Sequence, residues 1–339
     1  MRSSRTSPRG RRTIAAAALA FLGLAPAALG QVALPSATPL DAETLTEGAA
    51  LAREAAQQAG SLAALVGRGE DAATVAAAGA AAIDAAERAL ALEPQLAEAW
   101  NAIALVHRQF WRWSAARRAY EQAYAIAPND RAVLFAFGWF NAFSGRHAQA
   151  IAMGERGVAL APDDASAHRD LGIAYAYAGD AENGAAALRR CTALDPEIAV
   201  CHIWLGFMLG LLGEPDEAAR ELALAEALAG EAMNAATTSS IAHAYSRIGR
   251  AADAARLFAR LERLGREGVV GAGSWPLGHL AVGDVEQAYA ALERAVAKIE
   301  EREPDEGFFN LMIIKGNVLQ NPVLDEPRFV ALRERIGAF

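Results

Sequence analysis

The sequence predicts an all-α solenoid of stacked helical hairpins, and three observations carry that expectation. Pro94, Pro128, Pro162 and Pro196 recur at a fixed interval of 34 residues, and a fixed period of this length marks a repeat array. Each proline closes a similar phrase, ALALEP, AIAPND, ALAPDD or ALDPEI, which reads as a helix end followed by a residue that cannot continue it. Composition agrees: 53% of residues are apolar but only 7% aromatic, so alanine, leucine and glycine dominate and small-residue helix packing is favoured over a β-sandwich.

Taken in order, the chain opens with a basic stretch, residues 1–12, then the apolar run IAAAALAFLGLA, then Pro26 and small residues up to Gly30. This order reads as a secretory signal peptide over 1–30, cleaved after Gly30, which places the protein outside the cytoplasm, in a periplasm. Arg11-Arg12 resembles a twin-arginine signal. The apolar run is shorter than the ~20 residues a spanning helix needs, so no stable membrane span is expected after cleavage; an uncleaved anchor is the alternative. Residues 31–40 carry proline, serine and threonine without charge and read as a linker.

Residues 41–96 are expected to hold N-terminal helices and a partial repeat. Asp41–Gln58 reads as helix with Asp41 as N-cap, 60–71 as less regular, and an alanine-rich helix follows from Ala72 to Leu92. Four regular units fill 97–232. Trp100, Ile103, Ala104, Ala116, Tyr120 and Ala123 set the pattern, and Leu134, Phe137 and Gly138, Leu171 and Gly172, then Leu205 and Gly206 repeat it. Large residues three and four apart make one helix face, and the small residue beside them lets the next helix approach. Gly230 replaces the fifth proline, the phase slips by two, and two divergent units fill 233–302. The glycine-rich stretch before Gly283 predicts a short first helix starting near Trp275-Pro276. Residues 303–339 break the period and are expected to cap the array.

The motif formed by these positions resembles the tetratricopeptide repeat, W-x2-L-G-x2-Y, A-x3-F and P over 34 residues. That resemblance implies a right-handed superhelix whose concave groove is lined by the first helix of each hairpin. The ending, with Glu326-Pro327-Arg328-Phe329, Leu332, Arg335 and Gly337, is similar to the tail after the repeats of bacterial winged-helix regulators and nucleotide cyclases. Neither of those activities fits in the residues outside the array.

Two groove helices are apolar nearly all round, Arg131–Phe143 and Ala199–Leu212, and such a helix is buried or covered. By the family geometry Phe135, Trp139, Phe143, Ile173, Tyr177, Ile203, Phe207 and Leu211 form one apolar wall. The expectation is a non-catalytic scaffold binding a protein or peptide there, unless the superhelix or the helix at 41–58 covers the wall. The alternative is a sensory or regulatory module with a small apolar ligand in the groove.

Removing residues 1–30 leaves 27 basic against 40 acidic residues, and only Lys298 and Lys315 are lysines. Such a chain is a poor nucleic-acid binder. The six histidines show no ligand spacing and read as structural, so neither metal nor cofactor is expected. No nucleophile motif, phosphate-binding loop or dinucleotide fingerprint occurs, and the chain is not read as an enzyme. Cys191 and Cys201 read first as buried thiols, with a disulfide between consecutive helices as the alternative.

Overall fold

A computed structural model describes residues 46–67, 70–305 and 307–336; the signal and linker, with Asp41, lie outside the described residues. Among the described residues there are sixteen α-helices and no strand. Helices α1 (Glu47–Gly67) and α2 (Ala72–Leu92) form the first hairpin. Hairpins follow in α3 (Ala97–Gln109) with α4 (Trp113–Ile126), and α5 (Arg131–Phe143) with α6 (His147–Leu160). Next come α7 (Ala165–Ala178) with α8 (Ala181–Leu194), and α9 (Ala199–Leu211) with α10 (Pro215–Ala229). The last two hairpins are α11 (Ala235–Arg247) with α12 (Ala251–Arg266), and α13 (Trp275–Ala281) with α14 (Val285–Glu300). Helices α15 (Phe308–Gly316) and α16 (Pro327–Arg335) complete the chain.

The proline ladder is a ladder of turns. Asp130 N–H donates to the Ala127 carbonyl at 3.1 Å and Asp164 N–H to that of Ala161 at 3.1 Å, so Pro128 and Pro162 occupy the second turn position that their fixed φ suits. The aspartate leaving each turn then caps the next helix, Asp130 accepting from Val133 N–H and Asp164 from Ser166 N–H. A second ladder runs inside the hairpins. Gly145, Gly179, Gly213, Gly249 and Gly283 all take φ near +78, the left-handed conformation that ends the first helix of a hairpin. The spacing in this ladder widens by two between Gly213 and Gly249. The extra residues are absorbed where the 3₁₀ turn Gly230–Ala232 replaces a proline turn.

Helix α1 continues through Gly60 to Gly67, past the point where the sequence alone reads as irregular. Its packing against α2 and α3 outweighs the helix propensity lost at one glycine. Within hairpins the contacts are close: a methyl group placed at Gly172 would lie 2.6 Å from Leu188 Cγ, and one at Gly206 2.8 Å from Leu222 Cγ. Cys191, on α8, and Cys201, on α9, are joined in a disulfide with a Cα separation of 6.2 Å. This corrects the preference for free thiols. The turn at Pro196 brings the end of one helix beside the start of the next, within the span a disulfide can bridge.

At the far end α16 caps the stack. Phe329 is buried edge-on against Tyr289 of α14, while Arg328 and Arg335 pair with Glu286 and Glu300 on the same helix. Helix α15 does something different.

Candidate functional site in the concave groove

The first helices of the hairpins, α3, α5, α7, α9 and α11, pack side by side, and their exposed flank is the natural groove. It is not empty. The chain turns back after α14 and lays residues 303–305 and 307–321 along these helices. The indole N–H of Trp111, in the turn after α3, donates to the Glu303 carbonyl at 2.9 Å. The Phe308 ring lies tilted 4.9 Å from Trp111 and edge-on 5.8 Å from Phe143, and the Arg108 guanidinium lies over it. Phe309 meets Trp139 and Phe143 edge-on, at 5.6 and 5.9 Å. Further along, Asn310 donates to Ser239 of α11 at 2.6 Å, Asn321 to Nε2 of His243 at 3.0 Å, and Arg247 to the Gln320 carbonyl at 3.2 Å.

Titratable groups are buried in this interface. Burial pushes the Lys315 amine below its usual range; it donates to the Phe143 carbonyl at 3.0 Å and sits over the Trp113 ring. Asp305 is buried, and desolvation raises its pKa, although its carboxylate accepts from the N–H groups of Gly273 and Gly307. His243 is fully buried, and desolvation with the nearby Arg247 lowers its pKa to about 3. The imidazole is therefore neutral, as it must be for Nε2 to accept from Asn321.

Six of the eight wall residues lie buried in one core with this tail: Trp139, Phe143, Ile173, Tyr177, Ile203 and Phe207. Phe143 touches Tyr177 at 5.3 Å, Tyr177 touches Trp204, and Trp204 touches Phe207, so the aromatic wall is continuous from α5 to α9. Phe135 and Leu211 are only partly buried. The tail is what covers α5; helix α1 packs on α2 and α3 instead. Phe309 is also partly buried and shares Trp139 with Phe135, whose ring centroid is 5.3 Å from the indole. Phe135, with the Arg169 guanidinium over its ring, and Phe309 thus both border Trp139 and form a partly buried apolar edge.

Sequence reasoning about the wall missed Trp111, Trp113, Phe308, Phe309 and Lys315. Signals for three of these were present. Trp111 stands one repeat before Gly145, at the left-handed turn position, with φ +56. FFNLMII, within 308–314, is an apolar run with no counterpart in the repeats.

No helix among the described residues is long and apolar enough to cross a membrane, and they contain no cluster of metal-ligating side chains. His202, at the repeat position of Trp100, bonds through Nδ1 to Glu221 at 2.6 Å and through Nε2 to the Pro196 carbonyl at 2.9 Å. Burial opposes its charging, but these bonds outweigh it and raise its pKa.

Among solved structures the chain is similar to PilW, a widely conserved type IV pilus biogenesis factor. The TM-score is 0.51 at 21% identity, covering 65% of this chain and 94% of that one. It is also similar to a tetratricopeptide repeat protein from Parabacteroides merdae, with TM-score 0.50 at 14% identity, covering 80% of this chain and all of the other. The fold is that of a tetratricopeptide-repeat solenoid. No protein-family model matches the sequence, and no curated protein does. Nothing in these comparisons supports the likeness of the tail to winged-helix regulators or cyclases. The repeat solenoid therefore stands on its periodicity and architecture, and at these identities likeness speaks for fold alone.

Proposed function

We propose that the protein is an exported, non-catalytic scaffold that binds a protein or peptide through the concave side of its repeat solenoid. The observation that carries this reading is the tail itself: the aromatic wall around Trp139, Phe143 and Tyr177 is built to receive a short apolar helix, and α15 is one. Displacing that helix would expose Phe308, Leu311, Met312, Ile313 and Ile314, at ~1.5–3 kcal/mol each and so on the order of 10 kcal/mol in all. A partner meets the seated tail rather than replacing it. The contact surface is then the partly buried edge where Phe135 and Phe309 meet Trp139, with Leu211 further along the wall. Its chemistry is apolar and aromatic, so the partner supplies an apolar segment. The basic and apolar order of residues 1–30 supports export, and intact mass of the mature protein tests cleavage after Gly30.

The test is photo-crosslinking in the producing cell from position 135 of the full chain. A protein adduct is expected, and it should be lost on Phe309→Ala while circular dichroism and melting show the fold retained. An unfolding-neutral Phe309→Ala that leaves every adduct in place would remove this edge from the contact. Trp139→Ala is unsuitable here, because it removes the seat of α15.

A further inference from the structure

The second regular hairpin lacks a side chain that its neighbours have. Tyr120, Leu188 and Leu222 occupy one repeat position and are all fully buried, while Gly154 stands there in α6. One turn on, Ala123, Cys191 and Ala225 are answered by Gly157. A cavity of about 60 Å³ lies at this place, walled by Leu134, Trp139, Ala142, Met153 and Ile173. The helices cannot close it. A methyl group at Gly154 would already fall 2.9 Å from Leu171 Cα, so the backbones of α6 and α7 come close there and can come little nearer. At Gly157 a methyl group would meet nothing within 4 Å. The void is thus held open beside a contact that is already tight.

Its walls are apolar and its mouth is polar but neutralised. Arg131 is paired with Asp164, and Asp170 accepts from Arg169 at 2.8 Å, so no unmatched charge faces the space. Away from its polar mouth, water in this space would find few polar partners, which favours an apolar guest there. We propose that the cavity between α5, α6 and α7 is a binding site for a small uncharged apolar molecule, about one aromatic ring in size, with any hydroxyl turned to Arg131 and Asp170. The guest sits behind the groove wall, against the buried faces of Trp139 and Ile173, not in the groove. Binding fills space that otherwise lacks contacts, so it stabilises the fold, and more so as the guest fills the cavity better.

Benzene is the probe for solution and xenon for the crystal, both with the full chain. The melting temperature should rise with benzene to a saturating value, and Gly157→Leu, which places a side chain in the void, should abolish the rise. A crystal under xenon should show the atom between Trp139 and Met153. If Gly157→Leu does not fold, Gly157→Val and the xenon site decide the matter. An unchanged melting temperature with no xenon in the cavity overturns the proposal, and so does a benzene shift of equal size in a folded position-157 variant.

Discussion

Trp111 and Glu303, 192 residues apart, are joined by a hydrogen bond of 2.9 Å from indole to carbonyl, and Trp111 holds a left-handed backbone to make it. The five later hairpins place glycine at this turn, where φ > 0 costs nothing; in tryptophan it costs on the order of 1 kcal/mol. The contact with the tail offsets that strain. Trp111→Gly restores the glycine of the other turns yet should lower stability by about 3 kcal/mol, since loss of a buried indole outweighs the relief. Trp111→Phe isolates the hydrogen bond and should cost about 1 kcal/mol. Urea unfolding of the two variants checks both, and a Trp111→Gly protein more stable than the parent would show that the tail does not rely on this residue.

The seat of α15 should be visible as coupling. Phe143→Ala and Phe308→Ala each remove a buried ring and should cost about 3–5 kcal/mol. The two rings touch at 5.8 Å, so the double variant should cost less than their sum by about 1 kcal/mol. Phe143→Ala with Phe329→Ala is the comparison, because Phe329 packs against Tyr289 of α14 instead; that pair should add. Equal coupling in both cycles would mean that the tail is held by the stack as a whole.

How much of this was legible in the sequence depends on the range of the interaction. The repeats are local: proline sets one turn, glycine the other, and the 34-residue register displays both to anyone reading it. The cavity is legible in the same way, as Gly154 in a column otherwise holding Tyr120, Leu188 and Leu222. The seat of the tail is not, because Phe308 meets Trp111 and Phe143 only after the superhelix has brought them near, and no period links them. Periodicity could mark Arg131–Phe143 as covered, but the covering helix lay outside the register. The aromatic wall was readable as a wall; its occupant was readable only as an unexplained apolar run.

The disulfide between Cys191 and Cys201 closes a short loop over the Pro196 turn, and the sequence separation is 10. Chain entropy gives a link of this span somewhat under ~3 kcal/mol. Reducing agent should lower stability by that order, and Cys191→Ala with Cys201→Ala should make stability insensitive to reductant. Intact mass of the unreduced chain should show the loss of two hydrogens. An unfolding midpoint that ignores reductant in the parent would show that the bond contributes nothing.

Acid should loosen the tail through His243. Its pKa falls from about 6.5 in an unfolded chain to about 3 in the fold, where burial is the leading cause and Arg247 adds to it. The unfolded state therefore binds the proton first, and stability is lost as pH falls from about 6.5 towards 3, by ~1.4 kcal/mol for each pH unit once well below the upper value. His107, His147 and His279 are shifted down by burial too and act in the same direction. His202, Asp170 and Asp305, all shifted up, act against it as they take up protons in the fold. His243→Gln keeps an acceptor for Asn321 but cannot titrate. The parent should lose about 2 kcal/mol more than this variant between pH 7 and pH 5, read from urea midpoints at each pH. Parallel pH profiles for the two proteins would show that His243 does not set the acid response.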